Sequence, residues 1–340
     1  MATDGELEFI APMPRLRGDG AEWVEDLRQL EDAGFDTVAV SHHFTNGWQL
    51  APIAAMAFAA ASTSRLRVLS LVVQNPLQHP ALLAKDIATI DRLSGGRAEL
   101  GIGAGWLAED YTALGIPFGT ARSRLAQCAE ALTIVRSYFS QETVDFEGEY
   151  YRVQGLEALP RSARRPHPPI LLGAAGPRML ELAGRFADIV GVEPRMAATG
   201  AVSADGVADL TAIALSAKIA RVREAAEVAG RQMPCVQYSV RHLDVTDVEP
   251  GPRRRTAWGQ AVATHADALA GSPAVLRGTA AECAARLQEY SEQFGIEYWH
   301  LGQDTRAAAA VIAEVRHGGV GRGSGASSAT STQSSRLGGT

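Results

Sequence analysis

Two adjacent imidazoles are the first residues of this sequence whose type and position could do chemistry. His42 and His43 follow the apolar run Thr37–Val40, and histidine is the side chain whose ordinary pKa suits proton transfer near neutral pH. If that run is a strand, adjacent residues point to opposite faces. We therefore expect only one of the two rings to reach a site at the strand end. The alternative is a pair of histidines that only cap or pack.

A glycine-rich segment, residues 101–109 (GIGAGWLAE), follows a later apolar run. Glycine at the end of a strand lets a ligand approach the backbone where a Cβ would block it. Trp106 offers a flat apolar wall for a planar ring. The segment therefore predicts a binding site for a planar ligand, although close packing of strands also uses glycine.

A second glycine-rich segment, residues 173–178 (GAAGPR), leads into a predicted helix. Small residues before a helix, with Pro177 at its first position, leave free N–H groups and the positive helix end facing an anion. Arg178 adds a positive charge in the first turn. The pattern predicts a phosphate site, and a plain turn between strand and helix is the alternative. Arg253–Arg255 could also meet an anionic cofactor tail.

These segments belong to a regular alternation of apolar runs and amphipathic stretches. The runs are continuously apolar, which is typical of parallel strands buried on both faces. Eight such units predict an α/β fold of the (β/α)8 TIM barrel type with insertions, whose active site lies at the carboxyl ends of the strands. A doubly wound sheet is the alternative, but the GxGxxG turn it often carries is absent after the first run. The predicted strands are residues 7–11, 37–40, 67–73, 98–103, 170–173, 188–192, 235–240 and 297–301.

Three segments interrupt the alternation. Residues 143–153 predict a small hairpin that turns at residues 147–148, and residues 195–206 predict a mobile loop over one mouth of the barrel. Residues 318–340 are rich in glycine, serine and threonine and predict a disordered tail. We therefore expect one barrel domain over residues 1–317.

Composition excludes several classes of protein. The chain has 340 residues, of which 46% are hydrophobic and 21% charged, as in ordinary globular domains. A net charge of −6 argues against a nucleic-acid partner. Three cysteines without CxxC or Cys/His ligand spacing predict neither a disulfide framework nor a metal site. The longest apolar run, residues 50–61, is shorter than the roughly 20 residues of a membrane span, and the acidic start lacks a secretory pattern. We therefore expect a cytoplasmic protein.

Five segments in order carry a resemblance to a known family. They are residues 63–73 (TSRLRVLSLVV), 79–80 (HP), 82–106 (LLAKDIATIDRLSGGRAELGIGAGW), 114–118 (LGIPF) and 166–192 (PHPPILLGAAGPRMLELAGRFADIVGV). These segments resemble the bacterial luciferase-like superfamily, and above all its coenzyme F420-dependent oxidoreductase branch. The similarity extends over residues 7–316, which makes it far more specific than any single glycine motif.

The resemblance implies a TIM barrel that binds a deazaflavin whose C5 exchanges a hydride with the substrate. Members of the branch carry an Asp-His pair at the end of the second strand, and the matching residues here are His42 and His43. The resemblance thus implies that His43 is the proton donor near the substrate, whereas His42 replaces the aspartate near the cofactor. Trp106 matches the position where a relative acting on sugar phosphates has an acidic catalytic residue, which argues against sugar-phosphate oxidation.

The resemblance also implies which residues hold the cofactor. A non-proline cis peptide behind the ring would match Ser70–Leu71, with Val73 following toward the ring. The matching ring contacts are Ala104, Gly105 and Glu109, and the matching phosphate contacts are Ala175, Gly176, Arg178 and Met179.

The expected function is that of a reductase that transfers hydride from reduced F420 to a C=C, C=N or C=O bond of a small molecule. One alternative is an FMN-dependent monooxygenase on the same barrel. A second alternative is a protein that binds a flavin or deazaflavin without turnover, because a fold alone proves no chemistry. Members of the family often dimerise through barrel-side helices, so we expect a homodimer in which the alanine-rich helix after Leu50 packs against the partner.

Overall fold

The computed structural model describes residues 6–249, 251, 257–265 and 267–320, which form thirteen strands and eleven α-helices. The strands are β1 (Glu8–Pro12), β2 (Thr37–Val40), β3 (Arg67–Ser70), β4 (Val73–Gln74), β5 (Ala98–Gly103), β6 (Thr143–Glu147), β7 (Arg152–Glu157), β8 (Ile170–Ala174), β9 (Ile189–Val192), β10 (Cys235–Ser239), β11 (His242–Val245), β12 (Val275–Gly278) and β13 (Ile296–His300). The helices are α1 (Gly20–Asp32), α2 (Pro52–Ser62), α3 (Pro80–Ser94), α4 (Ala108–Leu114), α5 (Ala121–Ser140), α6 (Pro177–Phe186), α7 (Ala204–Ala208), α8 (Ala212–Val228), α9 (Ala257–Thr264), α10 (Ala280–Phe294) and α11 (Thr305–Val320).

Nine of these strands close into a parallel barrel with eight strand positions, because β3 and β4 share one position. In chain order the positions are β1, β2, β3 with β4, β5, β8, β9, β10 and β13, and each pairs in parallel with the next. The barrel closes where Glu8 of β1 pairs with Tyr298 of β13. The predicted TIM barrel is therefore confirmed, and closure excludes the doubly wound sheet.

The third predicted strand is divided in two. β3 ends at Ser70, β4 begins at Val73, and a non-proline cis peptide joins Leu71 to Val72 between them. The expected position, Ser70–Leu71, was therefore one residue too early.

The barrel interior is filled below its mouth. A cluster of buried side chains on six strands occupies this space, so the barrel is a packed core there and not a pore. Its members are Ile10, Ala39, Leu69, Leu171, Ile189 and Tyr298. The helices pack their apolar faces on the outside; on α1, for example, Trp23, Leu27 and Leu30 are buried. Within the barrel, space for a ligand is therefore left at the strand ends.

Two insertions interrupt the alternation of strands and helices. β6 and β7 form the predicted antiparallel hairpin between α5 and β8. β11 and β12 form a parallel pair after β10, which the sequence analysis did not predict. Helix α11 continues to Val320, three residues beyond the predicted domain end. The rest of the predicted tail, residues 321–340, and Arg253–Arg255 lie outside the described residues.

Other expectations concern features of the whole chain. The three cysteines, Cys128, Cys235 and Cys283, form no disulfide. Within the described ranges, no group of histidine, cysteine or acidic side chains is arranged to hold a metal ion. None of the helices in those ranges combines the length and apolar character that a membrane crossing requires.

Candidate active site

The carboxyl ends of the barrel strands open into one cleft of about 1430 Å³. Most ligand pockets measure about 300–1,000 Å³, so this cleft has room for two ligands side by side. Gly103, Gly173 and Gly191 line it from the neighbouring strands β5, β8 and β9. A Cβ on any of the three would meet the side chain of Val72, Gln237 or Leu171, so these glycines let the top of the barrel pack closely.

Two glycines of β5 serve packing and not ligand approach. A Cβ on Gly101 would lie 1.8 Å from the carbonyl oxygen of Ser70. A Cβ on Gly103 would lie 2.8 Å from a methyl group of Val72. The first clash is with backbone, which cannot move aside cheaply. The segment around the cis peptide therefore requires glycine at position 101, as the packing alternative states.

His43 lines the cleft and is held from behind by Asp110 of α4. Its Nδ1 lies 2.7 Å from Oδ2 of Asp110, whose side chain is fully buried. The same carboxylate accepts hydrogen bonds from the N–H groups of Phe44 (3.0 Å) and Thr45 (3.1 Å), from the Thr45 hydroxyl (2.8 Å) and from Nε2 of Gln74 (2.8 Å). One carboxylate thus fixes both the loop after β2 and the orientation of the imidazole.

The ionised state of Asp110 determines which nitrogen of His43 carries a proton. Burial alone would raise the pKa of Asp110, but the hydrogen bonds from Phe44, His43, Gln74 and Thr45 outweigh it and lower the pKa to about 2. The carboxylate is therefore ionised and only accepts hydrogen bonds. Nδ1 of His43 carries the proton in this bond, which leaves Nε2 as the nitrogen that can exchange a proton with a ligand.

His42 lies behind the wall of the cleft. It is 8% exposed, and its Nδ1 accepts a hydrogen bond of 3.3 Å from the N–H of Gln74. Burial and the charge of neighbouring His43 lower the pKa of His42 to about 4, although Asp110 opposes the shift. The ring is therefore neutral at pH 7 and packs 5.0 Å from Phe44. The structure brings His43 and not His42 to the cleft, as expected if only one of the two rings reaches the strand end.

The proposed phosphate contacts lie together at the amino end of α6. Ala175, Gly176, Arg178 and Met179 all line the cleft, and Gly176 is the N-cap of the helix. A Cβ on Gly176 would have no heavy atom within 4 Å, so the space before the helix is open. Arg178 is exposed and has no ion-pair partner among the described residues. This end of the cleft can accept an anion.

The expected ring contacts are only partly at the cleft. Leu71, Ala104, Gly105, Trp106 and Glu109 line it. Ser70 and Val73 are fully buried and do not: the Ser70 hydroxyl donates to the Gly101 carbonyl (2.9 Å) and accepts from the Gly101 N–H (3.0 Å). Val72, which the sequence analysis did not name, lines the cleft instead. The two residues joined by the cis peptide, Leu71 and Val72, are therefore the ones of this segment that face the cleft.

Three further polar residues line the cleft and were not predicted from the sequence. Glu193, Arg241 and His300 stand at the ends of β9, β10 and β13, and Arg241 forms an ion pair with Glu193. Nδ1 of His300 accepts a hydrogen bond of 3.2 Å from the N–H of Gly302. Burial and the charge of Arg241 lower the pKa of His300 to about 4, so its ring is neutral. Their position at the ends of three predicted strands was the signal that could have found them.

Comparison with known proteins identifies the family of this chain. The sequence profile of the luciferase-like monooxygenase family matches residues 8–298. The chain belongs to this family. The resemblance expected from the sequence is thereby confirmed, and both F420-dependent and FMN-dependent enzymes are among the relatives of this luciferase-like barrel.

Two curated relatives illustrate the two cofactors. The F420-dependent glucose-6-phosphate dehydrogenase of Kineococcus radiotolerans is 36% identical over 166 residues, which cover 47% of this chain and 48% of the relative. The FMNH2-dependent dimethylsulfone monooxygenase of Pseudomonas putida is 28% identical over 162 residues, which cover 46% and 44%. The chain thus spans about half the length of the curated relatives it matches.

Solved structures share the luciferase-like fold. A monooxygenase of Streptomyces bottropensis superposes with a TM-score of 0.69 at 24% identity and covers 93% of this chain and 99% of its own. The F420-dependent tetrahydromethanopterin reductase of Methanopyrus kandleri gives a TM-score of 0.68 at 19% identity, with 91% and 98% covered. At these identities the likeness shows the fold alone.

The charge of the luciferase-like cleft differs in sign from that of the chain. Five arginines and three carboxylates line it. Arg195 and Arg241 form ion pairs with Asp209 and Glu193, so the positive charge that remains for a ligand comes from the other three arginines, whereas the chain as a whole carries −6. The arginines are Arg122, Arg124, Arg178, Arg195 and Arg241, and the carboxylates are Glu109, Glu193 and Asp304. A basic cleft in an acidic protein attracts an anionic ligand.

Proposed function

We propose that this protein is a coenzyme F420-dependent oxidoreductase that acts as a reductase on a C=C, C=N or C=O bond of a small molecule. The observation that carries the proposal is the His43–Asp110 pair, which presents one imidazole to a basic cleft of about 1430 Å³. The pair supplies a proton donor, and the volume accommodates a cofactor and a substrate together.

The residues of the cleft fit the cofactor. Coenzyme F420 combines a flat tricyclic ring with a tail that carries a phosphate and several carboxylates. The open space before Gly176, together with Arg178, suits the phosphate. Arg122 lies in the same cleft and adds positive charge for the carboxylates. FMN shares the flat ring and the phosphate but lacks the further carboxylates, so the basic excess supports F420.

When bound and reduced, F420 supplies a hydride from C5 of its ring. The residues of the chain supply the rest of the reaction. His43 gives a proton from Nε2 to the atom at the other end of the reduced bond, and Asp110 orients the ring and stabilises its protonated form. Ala104 carries only a methyl group and leaves room for a ring close to the backbone, whereas Gly105 is required by its positive φ of 79° and its contact with Tyr111.

The site argues for a reductase and against the sugar-phosphate activity of the dehydrogenase relative. Trp106 occupies the position where the resemblance places an acidic catalytic residue, and its ring packs edge-on against His43 with 5.6 Å between the ring centroids. An indole cannot accept a proton from a sugar hydroxyl.

A binding titration tests the cofactor. Oxidised F420 and, separately, FMN are added to the purified protein while quenching of cofactor fluorescence is followed. We expect micromolar or tighter binding of F420 alone, and we expect Arg178→Gln to weaken it roughly tenfold or more. Arg223→Gln, which removes an exposed arginine of α8 outside the cleft, serves as the matched control. A preference for FMN would favour the monooxygenase, and binding of neither would overturn the proposal.

Turnover with reduced F420 tests the role of His43. We expect His43→Ala to retain the F420 dissociation constant and to lower kcat by roughly 10²–10⁴-fold, the usual contribution of general acid catalysis. Unchanged turnover would remove His43 from the mechanism. Tight binding of F420 without reduction of any enone, imine or ketone would leave a protein that binds the cofactor without catalysis.

A further inference from the structure

Two tryptophans from different loops flank the imidazole of His43. Trp48, in the loop after β2, lies 5.3 Å from it between ring centroids, at an interplanar angle of 34°. Trp106, in the loop after β5, lies 5.6 Å away in an edge-to-face arrangement of 76°. All three rings line the cleft. We call these three residues the aromatic box.

The aromatic box determines what can approach the proton donor. Nδ1 of His43 is occupied by Asp110 at 2.7 Å, so a substrate must reach Nε2 on the other edge of the ring. Both indoles pack against that ring, so a substrate bound at His43 shares the cleft with them. Flat unsaturated groups gain from contact with an indole face or edge.

Several polar side chains next to the aromatic box have partners, whereas Oε1 of Gln74, which also lines the cleft, accepts no hydrogen bond from the described residues. The carboxylate of Glu109 accepts from Nδ2 of Asn46 at 3.2 Å. The Ser41 hydroxyl donates to the carbonyl of Leu71 at 3.1 Å, and Asp110 lies fully buried behind His43. The Ser41 hydroxyl hydrogen is therefore already used, and an apolar aromatic group would leave these bonds intact.

We propose that Trp48 and Trp106 are specificity-determining residues that select substrates in which an aromatic ring is conjugated to the bond being reduced, such as an aryl enone. This inference rests on the proposed function for its chemistry. The C=C π bond is lost, the β-carbon gains the hydride of reduced F420, and the α-carbon gains the proton of His43. The products are the saturated ketone and oxidised F420, so no other reductant is needed.

A matched pair of enones tests the proposal. 4-Phenylbut-3-en-2-one and pent-3-en-2-one share the same enone and differ only in a phenyl or a methyl group at the β-carbon. We expect the wild-type protein to have the lower KM for the phenyl compound. Trp48→Leu and Trp106→Leu should each reduce this preference roughly two- to twelvefold, through a higher KM for the phenyl compound. Trp48→Phe and Trp106→Phe should restore most of it.

Phe58→Leu provides the control, because Phe58 is an exposed aromatic residue of α2 outside the cleft. Its preference between the two enones should equal that of the wild type. Equal KM values for the two enones in the wild type would overturn the proposal. A preference that survives both tryptophan-to-leucine changes would overturn it as well.

A binding measurement separates this proposal from the proposed function. Calorimetric titration of 4-phenylbut-3-en-2-one into the full chain, with and without oxidised F420, requires no turnover. Absence of F420 binding would refute the proposed function, while binding of the phenyl enone that depends on both tryptophans would still support the aromatic box. Binding that is equal in the wild type and in Trp106→Leu would refute the aromatic box whatever the cofactor.

Discussion

Nδ1 of His43 and Oδ2 of Asp110 lie 2.7 Å apart, although the two residues are 67 positions apart in the chain. The bond joins the loop after β2 to helix α4, which follows β5. Since Asp110 also accepts from the N–H groups of Phe44 and Thr45, this one carboxylate determines both the path of the loop and the tautomer of the imidazole. An orienting carboxylate of this kind stabilises the protonated form of its histidine.

Asp110→Asn should lower kcat roughly tenfold or more with little change in F420 binding. The neutral amide no longer favours the Nδ1–H tautomer, so the imidazole is no longer held with Nε2 free to exchange a proton with the substrate. Measurement of kcat beside the F420 dissociation constant separates this effect from a loss of binding. Asp267→Asn, at an exposed position outside the cleft, is the control. A kcat equal to that of the wild type would show that Asp110 does not act through His43.

The same variant should change stability in a pH-dependent way. The pKa of Asp110 lies near 2 in the folded chain against 3.8 ordinarily, so its ionised form stabilises the fold above about pH 4. This contribution, roughly 2 kcal/mol, disappears as the pH falls through about 2. Urea unfolding of wild type and Asp110→Asn at pH 7 and pH 3 should therefore show a gap that narrows at the lower pH. A gap that does not depend on pH would contradict the prediction.

Acid should also destabilise the fold through its neutral histidines. The pKa values of His42 and His300 are both lowered to about 4 from 6.5, so the unfolded chain binds protons that the folded chain rejects. Stability should be full above pH 6.5 and fall by up to about 3 kcal/mol per residue as the pH drops to 4. His42→Gln should flatten this slope, and His317→Gln, at an exposed position, should not. Denaturant unfolding between pH 4 and pH 7 measures both slopes.

Two glycine-to-alanine variants should separate packing from ligand binding. In Gly101→Ala the added carbon would lie 1.8 Å from the Ser70 carbonyl oxygen, so the loss of stability should be roughly 3 kcal/mol or more. In Gly176→Ala the carbon meets open space, and the melting temperature should change little. The second variant should instead weaken F420 binding. If Gly176→Ala bound F420 like the wild type, the anion would not lie at the amino end of α6.

We propose that a second copy of the chain covers helix α2. This helix, PIAAMAFAAAS, has no charged residue and exposes Ala54, Ala57, Phe58 and Ala61. Leu82 of neighbouring α3 is 63% exposed. Phe58→Glu should convert a dimer into a monomer in sedimentation velocity at micromolar concentration, because it places a charge in an apolar interface. Val228→Glu, at a still more exposed apolar position on α8, should leave the dimer intact. A monomeric wild type would refute the proposal.

Local sequence determined the barrel and the ends of its strands. The spacing of apolar residues within each segment indicates whether it is a strand or a helix, and all eight predicted strands overlap strands of the barrel. Local sequence also predicts that a helix starts at Pro177, because a small residue followed by proline is typical of an N-cap and the first helical position. In these cases the residues of one segment suffice for the prediction, because interactions between neighbours along the chain determine the local structure.

Tertiary structure decided which of these residues work together. His42 and His43 are equivalent in type and adjacent in sequence, and only the direction of the chain after β2 places one in the core and the other in the cleft. Asp110 and His300 reach the site because the barrel closes and brings loops after different strands together. Contacts between such loops depend on closure of the whole barrel. They cannot be predicted from the spacing of apolar residues within one segment.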